Sequence, residues 1–305
     1  MIGPVTVPIF LLVFLSFPPM AAQFAVTKLG LNAGLTVWDI AALRYGAAAL
    51  GTLLVLGDPR RRGMLLAAPG RFLAIGLLSG AAYGAVFTLA TAMMPASHAT
   101  LFAPSSSIVC TLVVAGLVLG VWPSPTRLLG VGVILVGLVV FARSAGAQFD
   151  ADTLAGDGLF GVMGLMWGCF GVLSRKWRLD PLSCVAAMGA TGVLALPLWF
   201  AFAPSGLTFA NWPIALGQAL FQGWLLTFVA FLAYMTLVQR LGPPTAALGI
   251  ATVPPLGVAI ATLLLGETAH AGQWAGAAIV VAGLAISTGL SLGAVKRAIG
   301  VRLAR

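Results

Sequence analysis

Long apolar stretches, separated by short polar or basic connections, occupy almost the whole chain. A membrane-spanning helix needs about 20 consecutive, mainly apolar residues. Ten windows of this kind can be drawn, at 7–28, 37–57, 72–92, 98–121, 127–143, 158–175, 182–203, 213–238, 244–266 and 271–292. None shows the alternating polarity of a transmembrane β-strand. Because a backbone in lipid must satisfy its own hydrogen bonds, the pattern predicts an all-α polytopic membrane protein with ten transmembrane helices.

A glycine pattern occurs twice in the chain. Three glycines in the first half each have a counterpart 146 residues later, at Gly120/Gly266, Gly130/Gly276 and Gly137/Gly283. A polar stretch at 143–157 divides the ten windows into five and five. Since five is odd, the second copy should enter the bilayer upside down, which is the layout of inverted repeats. The predicted units are a first five-helix repeat at 1–148, a polar connector at 149–157, an inverted second repeat at 158–292 and a basic tail at 293–305.

The composition excludes an ordinary soluble domain, and the placement of the basic residues explains the net positive charge. Hydrophobic residues make up 60% of the chain and charged residues 8%, whereas soluble domains carry about 25% charge. Of the 16 Lys and Arg residues, 13 fall on one side of a ten-span topology, 2 (Lys28 and Arg143) fall on the other, and Arg44 lies within a span. The net charge of +9 therefore indicates topology in a lipid bilayer, with both termini cytoplasmic, and no nucleic-acid partner.

Prolines interrupt several predicted spans. Pro18 and Pro19 fall in the middle of the first span, Pro104 in the fourth, and Pro254 and Pro255 in the middle of the ninth. A proline inside a helix costs about 3 kcal/mol or more, and in a bilayer such breaks occur where a helix faces protein or a water-filled cavity. The fourth and ninth spans are equivalent in the repeat. We therefore predict gating breaks beside a midplane cavity, with ordinary packing kinks as the alternative.

Few ionisable residues lie within the spans, and their cost in lipid makes them candidates for function. Arg44 lies about two turns into the second span, His98 begins the fourth and Glu267 ends the ninth. One interpretation is a charged gate, or a site for a substrate carboxylate at Arg44 or Glu267. The other is structural, with Arg44 paired to a carbonyl or carboxylate, Glu267 capping an interface and His98 forming an interfacial hydrogen bond.

Aromatic and amide side chains within the spans predict the lining of a substrate cavity. Gln218 and Gln222 are four residues apart and share one helix face, and two buried amides need hydrogen-bond partners. The remaining predicted lining residues are Phe17, Gln23, Ser79, Tyr83, Trp167, Trp224 and Tyr234. Such a wall suits an amphipathic solute with a flat apolar part and a hydrogen-bonding head. The alternative for each ring is packing or an aromatic belt.

Signatures of enzymes, cofactor sites and channels are missing from the sequence. It contains no HExxH, GxSxG or Walker A motif, no Cys/His metal spacing and no TVGYG-like filter. We therefore expect no catalytic residue, no cofactor and no metal. Four small-xxx-small pairs predict close helix packing and leave open a monomer or a weak homodimer through the late helices: Gly80/Gly84, Gly116/Gly120, Gly164/Gly168 and Gly272/Gly276.

Two segments resemble parts of the EamA-type repeat of the drug/metabolite transporter superfamily. LLLGETAHAGQWAGAAIVVAGLAI at 263–286 is similar to the end of such a repeat, and GLMWGCFGVLSRK at 164–176 is similar to its first helix. Arg44 matches an arginine that is often found in the second helix. The other residues that carry the resemblance are Pro254, Gly266, Glu267, Gln273, Gly276, Gly283, Trp167, Gly168 and Lys176. The first copy departs from the pattern, because Val121–Trp122 replaces the glutamate and Pro18–Pro19 replaces Trp-Gly.

The resemblance implies export of small metabolites across a bacterial inner membrane. It also implies a central cavity formed mainly by the first, third, fourth, sixth, eighth and ninth spans. Length and aromatic lining are most similar to the YddG-type exporters of aromatic amino acids. The resulting hypothesis is alternating-access export of aromatic or other hydrophobic amino acids. Extrusion of lipophilic cations, as in multidrug transporters, is the first alternative, and a non-transporting scaffold or an intramembrane enzyme is a distant one.

Overall fold

The regular structure of the chain is helical throughout the part that the computed structural model describes, residues 8–144, 151–241, 250 and 252–287. In chain order the helices are α1 (Ile9–Asn32), α2 (Val37–Leu56), α3 (Pro59–Ala67), α4 (Pro69–Ser79), α5 (Ala81–Ala92), α6 (Ala96–Leu119), α7 (Pro125–Ser144), α8 (Ala151–Lys176), α9 (Pro181–Phe202), α10 (Trp212–Gln218), α11 (Phe231–Leu241), α12 (Val253–Leu265) and α13 (Ala271–Ser287). A π-helical stretch, Ala219–Ala230, joins α10 to α11 and is called the π segment below.

These helices make up the ten predicted transmembrane spans. α4 and α5 form one interrupted rod, and α10, the π segment and α11 form another. Within the described residues, six rods are long and apolar enough to cross a membrane. α2 and three shorter apolar helices, α7, α12 and α13, complete the ten. The predicted all-α polytopic fold is confirmed.

The helices pack in pairs related by a pseudo-two-fold axis. α7 packs on α13, and α2 packs on α9, so each of these helices contacts its own counterpart in the other repeat. The contact of α6 with α8 likewise has its counterpart in the contact of α12 with α1. The first five spans and the last five therefore form two copies of one arrangement.

The repeated glycines lie at the axis between α7 and α13. A Cβ atom built on Gly137 would lie 2.7 Å from the backbone nitrogen of Val280, and one on Gly283 would lie 2.6 Å from the backbone nitrogen of Ile134. Residue numbers rise along one helix as they fall along the other, so the two helices are antiparallel. Only glycine permits backbones to approach this closely, and the antiparallel contact of equivalent residues is the geometry of an inverted repeat.

Two glycines that end helices show the same duplication in the backbone. Gly120 follows α6 with φ of 69°, and Gly266, its counterpart, follows α12 with φ of 68°. Glycine adopts this left-handed conformation without steric cost and commonly ends helices for that reason. The two copies therefore share the turn that closes their fourth helix.

The late-helix glycines do not support the suggested homodimer. A Cβ atom on Gly276 would lie 2.6 Å from the backbone nitrogen of Phe141, and one on Gly272 would meet the Ser144 hydroxyl. Both glycines are thus used in packing against α7 of the same chain.

The third span was predicted as one helix at 72–92, but it is interrupted at Gly80. The carbonyl groups near the interruption are satisfied from neighbouring helices. The Gly76 carbonyl accepts a hydrogen bond from the Thr191 hydroxyl at 3.0 Å, and the Ser79 carbonyl accepts one from the Tyr45 hydroxyl at 3.4 Å. α9 lies so close that a Cβ atom on Gly80 would meet Thr191, so the break depends on glycine at this position.

Pro254 and Pro255 occupy the first turn of α12, and most of the predicted ninth span that precedes them is outside the described residues. Proline is tolerated there because first-turn N–H groups have no helical acceptor. The predicted connector at 149–157 is shorter, because α8 begins at Ala151 with Asp152 in its first turn, where negative charge favours a helix.

The other prolines predicted to break a span lie within continuous helices. Pro18 and Pro19 lie inside α1, and Pro104 lies inside α6. Residues 244–249 of the predicted ninth span and the predicted basic tail at 293–305 are outside the described part of the chain.

Candidate functional site

A cavity of about 230 Å³ lies between the two repeats. Ligand pockets usually range from about 300 to 1,000 Å³, so this one accommodates a single small solute. Its wall comes from both repeats and consists of Met20, Gln23, Phe24, Arg44, Tyr45, Ser79, Tyr83, Phe87, Ala103, Pro104, Ser107, Ile108, Thr111, Met163, Trp167, Met188, Leu226, Thr227, Phe231, Tyr234, Ile250 and Val253.

Part of the predicted lining lies on this wall. Gln23, Ser79, Tyr83, Trp167 and Tyr234 all contribute to it. The wall also contains one predicted break and one predicted charged residue, Pro104 and Arg44. Sequence reasoning therefore identified residues on both sides of the cavity.

Four residues predicted to line the cavity lie elsewhere. Phe17 is 3% exposed and packs edge-on against Tyr234, with ring centroids 6.2 Å apart, so it lies behind the wall. Trp224 lies on a different face of the π segment and contacts Phe228. The other two are Gln218 and Gln222.

Gln218 and Gln222 bind α1 instead of facing the cavity. The Gln218 amide donates to the Val26 carbonyl at 2.6 Å, and the Gln222 amide donates to the Thr27 hydroxyl at 2.8 Å and to the Gln218 side-chain oxygen at 3.0 Å. Gly30 leaves the space that the Gln218 side chain occupies. Both buried amides therefore have hydrogen-bond partners, as expected of buried polar groups. Through them the end of α10 and the π segment are bound to α1.

Aromatic rings on and behind the cavity wall lie close to one another. The Tyr83 and Trp167 rings are 5.5 Å apart, and the Trp167 and Phe170 rings are 5.0 Å apart. On α1 and α5, the Phe24 and Phe87 rings lie 5.3 Å apart. These separations are typical of favourable aromatic pairs, so the rings form a preformed apolar surface.

Arg44 is the charged residue of the described cavity wall, and it is bound by neutral groups. Its Nε donates to the Thr227 hydroxyl at 3.3 Å, and its Nη1 donates to the side-chain oxygens of Gln222 and Gln23 at 3.4 and 3.5 Å. The guanidinium also lies 5.2 Å from the centroid of the Phe87 ring. No carboxylate of the described residues lies within salt-bridge distance of Arg44.

Asp39, the acidic residue nearest to Arg44 in sequence, binds groups other than Arg44. Asp39 accepts hydrogen bonds from the Ser205 hydroxyl at 2.7 Å and from the Gly206 backbone at 2.8 Å. It also accepts one from the Thr36 backbone at 2.8 Å. Asp39 therefore fastens the connection after α9 to the start of α2.

Glu267 and His98 lie at one end of the bundle, away from the cavity wall. The Glu267 carboxylate accepts the backbone N–H groups of Ala96 and Ser97 at 2.8 and 3.0 Å. His98 Nε2 lies 3.0 Å from the Asp157 carboxylate. Both contacts join the first turn of α6 to the second repeat. We call this end of the bundle the Glu267 end.

An apolar cluster fills the bundle between the cavity and the Glu267 end. Its largest members are Phe24, Phe87, Met94, Phe160 and Met163. Three of these residues, Phe24, Phe87 and Met163, also lie on the cavity wall. The cluster therefore closes the cavity toward that end.

Several wall residues were missed in the sequence, notably Met20, Phe87, Met163 and Phe231. Helical spacing could have found them. Phe87 and Met163 lie four residues from Tyr83 and Trp167, and Met20 and Phe231 lie three residues from Gln23 and Tyr234. Among the described residues, no three His, Cys, Asp or Glu side chains are grouped as metal ligands.

Comparisons with known proteins agree with this architecture. A family model described as the EamA-like transporter family matches the chain twice, at residues 7–143 and 154–289. A solved structure, described only as a crystal structure of a protein, has a TM-score of 0.62 and 18% sequence identity, over 92% of this chain and 98% of that chain. At that identity the likeness concerns the fold alone. No curated protein sequence matches significantly. The two family matches cover most of the chain, which therefore belongs to the EamA-like transporter family and is a multi-pass membrane transporter.

Proposed function

We propose that this transporter exports aromatic and other hydrophobic amino acids by alternating access through the cavity between its repeats. The observation that carries the proposal is the mixed lining of the cavity. Tyr83 and Trp167 contribute aromatic surface, while Arg44 and Gln23 contribute polar groups to the same wall. A small solute with a flat apolar part and a hydrogen-bonding head is complementary to such a lining.

Irregular helices on the wall support the alternating-access part of the proposal. Ser79 precedes the break at Gly80, Thr227 lies in the π segment and Pro104 lies inside α6, and all three side chains line the cavity. Interrupted helices near the bilayer midplane are typical of transporters built from inverted repeats. We propose that the two repeats rock about these points.

The orientation of the protein in the membrane is part of the proposal. We propose that the protein lies in a bacterial inner membrane with both termini in the cytoplasm. Arg71, Arg175 and Arg178 support this, because the connections that carry them lie at the end of the bundle opposite Glu267. Arg71 lies over the ring of Trp177, 5.7 Å from its centroid, which brings two of these connections together.

The cavity wall favours facilitated diffusion or exchange as the driving mode. It contains no aspartate or glutamate among the described residues. Coupling to protons would ordinarily use a buried carboxylate near the substrate. Uphill transport driven by a pH gradient, and abolished by Glu267→Gln, would contradict this part of the proposal.

Flux into proteoliposomes tests the function directly. We expect the reconstituted protein to move radiolabelled phenylalanine, tyrosine and tryptophan, and Trp167→Ala to reduce that flux severalfold because it removes half of an aromatic pair. Trp224→Ala is the matched control, since that ring lies off the cavity wall. Aromatic rings also attract cations, so a lipophilic quaternary amine belongs in the panel. Transport of the amine alone would replace the proposal with the multidrug alternative.

A further inference from the structure

We infer that the cavity recognises its solute by a carboxylate bound to Arg44, so that aromatic carboxylates without an amino group are also ligands and aromatic amines without a carboxylate are excluded. This inference rests on the proposed function, because it assumes that the cavity is the transport site. It goes further by naming the chemical group that is recognised and by extending the range of ligands beyond amino acids.

The charge balance of the cavity is the first argument. Arg44 is 8% exposed and lines the cavity, and no other residue on the described wall carries a full charge. Its three protein acceptors are neutral and lie at 3.3–3.5 Å, which is longer than the usual 2.9–3.0 Å. A buried guanidinium that is held this weakly lacks a counter-ion. A ligand carboxylate would supply one through shorter, charge-assisted bonds.

The second argument is that several hydrogen-bond donors on the cavity wall have no acceptor within the described chain. Arg44 Nη2, the Trp167 indole nitrogen and the hydroxyls of Tyr83 and Tyr234 donate no hydrogen bond within the described chain. In the described part of the chain no buried side-chain nitrogen or oxygen lacks a hydrogen-bond partner, so these four groups are accessible, and their side chains line the cavity. Arginine and tryptophan can only donate. The ligand must therefore bring acceptors.

The remaining polar groups on the wall do not offer a comparable site for a cation. The hydroxyls of Ser79, Ser107 and Thr111 each donate to a carbonyl of their own helix. They leave only neutral lone pairs for an ammonium group, which would also be repelled by Arg44. A carboxylate is favoured by charge, and an ammonium is tolerated only as a second group.

The aromatic ring of the ligand would lie against wall residues other than Arg44. Tyr83 and Trp167 lie on the wall together with Arg44, and the Arg44 guanidinium is 5.4 Å from the centroid of the Tyr45 ring. We expect an aryl group to lie against Tyr83 and Trp167 while the carboxylate of the same ligand binds Arg44, because all three side chains line one small cavity.

Equilibrium binding to the purified full-length protein tests the inference without membrane leakage of the probes. The three probes are radiolabelled phenylalanine, 3-phenylpropionate and 2-phenylethylamine, which share the aryl group and differ in the charged head. We expect the first two to bind and the amine to bind about tenfold more weakly or worse. Equal binding of all three, or a preference for the amine, would overturn the inference.

Two variants place the recognition on Arg44. Arg44→Gln removes the charge, and Gln23→Glu adds an internal carboxylate beside Arg44 without removing it, which keeps the test valid if Arg44→Gln does not fold. Both should weaken binding of 3-phenylpropionate about tenfold. Gln273→Glu is the control, because Gln273 is equally an interior glutamine but lies on α13, away from the wall. Unchanged binding in Gln23→Glu would contradict the role of Arg44.

Failure of the two proposals can be told apart. If the wild-type protein binds and moves aromatic solutes regardless of their carboxylate, the proposed function stands and the inference falls. If it binds and moves no aromatic solute, both fall. If the amine is excluded and the carboxylates bind, the inference holds whether or not flux is fast.

Discussion

The Glu267 carboxylate lies 2.8 Å from the backbone nitrogen of Ala96, across the boundary between the two repeats. The left-handed Gly266 ends α12 and directs the chain back toward α6. The first N–H groups of α6 have no helical acceptor, and the helix dipole makes their end favourable for negative charge. Glu267 thus caps a helix of the other copy. In the first copy the matching residue is Val121, so the two fourth helices cannot be fastened alike.

Removing this cap should destabilise the protein. Glu267→Ala is expected to lower the free energy of unfolding by about 1 kcal/mol, the usual effect of losing a helix N-terminal cap. Denaturant unfolding in detergent measures it. Asp152→Asn serves as the control, because Asp152 is an exposed acid in the first turn of α8, and equal losses in the two variants would contradict a specific capping role.

Replacing a glycine of α7 with alanine should have a different effect at the axis than elsewhere on the helix. Gly137→Ala should destabilise the protein by about 1–3 kcal/mol because the added Cβ lies 2.7 Å from the Val280 backbone. Gly132 lies on the same helix, and no atom of the described residues lies within 4 Å of a Cβ added there, so Gly132→Ala should be neutral or slightly stabilising. Thermal unfolding of the two purified variants compares them. A less stable Gly132→Ala would refute the packing argument.

The break in the third span should be needed for transport. Gly80→Ala forces a Cβ against Thr191 and the Gly76 carbonyl, which should move α4 or α9 and reduce amino-acid flux severalfold. Gly171→Ala on α8 should retain flux, because an added Cβ there meets no atom within 4 Å in the part of the chain that the structure describes. Proteoliposome uptake of phenylalanine, corrected for protein content, gives the comparison. Full activity of Gly80→Ala would show that the break is dispensable.

Labelling of introduced cysteines tests the proposed topology. Phe209 is 93% exposed in the connection after α9, and Ser124 is exposed in the connection before α7. These connections lie at opposite ends of the bundle. A membrane-impermeant maleimide added to intact cells should label Phe209→Cys but not Ser124→Cys, against the wild-type background from the three native cysteines. The reverse pattern would place the termini outside.

Much of the fold is predictable from hydropathy and glycine spacing. Ten apolar windows and an odd number per half predict inverted repeats, and the matched glycines identify the helices that meet on the axis. Within the site, Arg44 stands out because a charge is rare in a span. Tyr83, Trp167 and Tyr234 are candidates because each ring combines apolar surface with a hydrogen-bonding group.

The features that the sequence does not predict depend on contacts between segments that are distant in sequence. Gln218 and Gln222 look like lining residues until α1 is known to supply the Val26 and Thr27 acceptors. The π segment leaves no mark in hydropathy, since a change of hydrogen-bond register alters no side chain. The glycine series Gly76, Gly80 and Gly84 signals close packing, but only the neighbouring α9 explains why the helix breaks at its centre.

The contact between α7 and α13 has a bearing on the origin of the protein. Because equivalent residues meet across an antiparallel axis, the interface is self-complementary, like that of a two-fold homodimer. A half-sized ancestor that inserted into the membrane in both orientations would have presented this surface to a second copy of itself. Fusion of two such copies would require no new interface, and an uneven placement of arginines would be sufficient to give each half a single orientation.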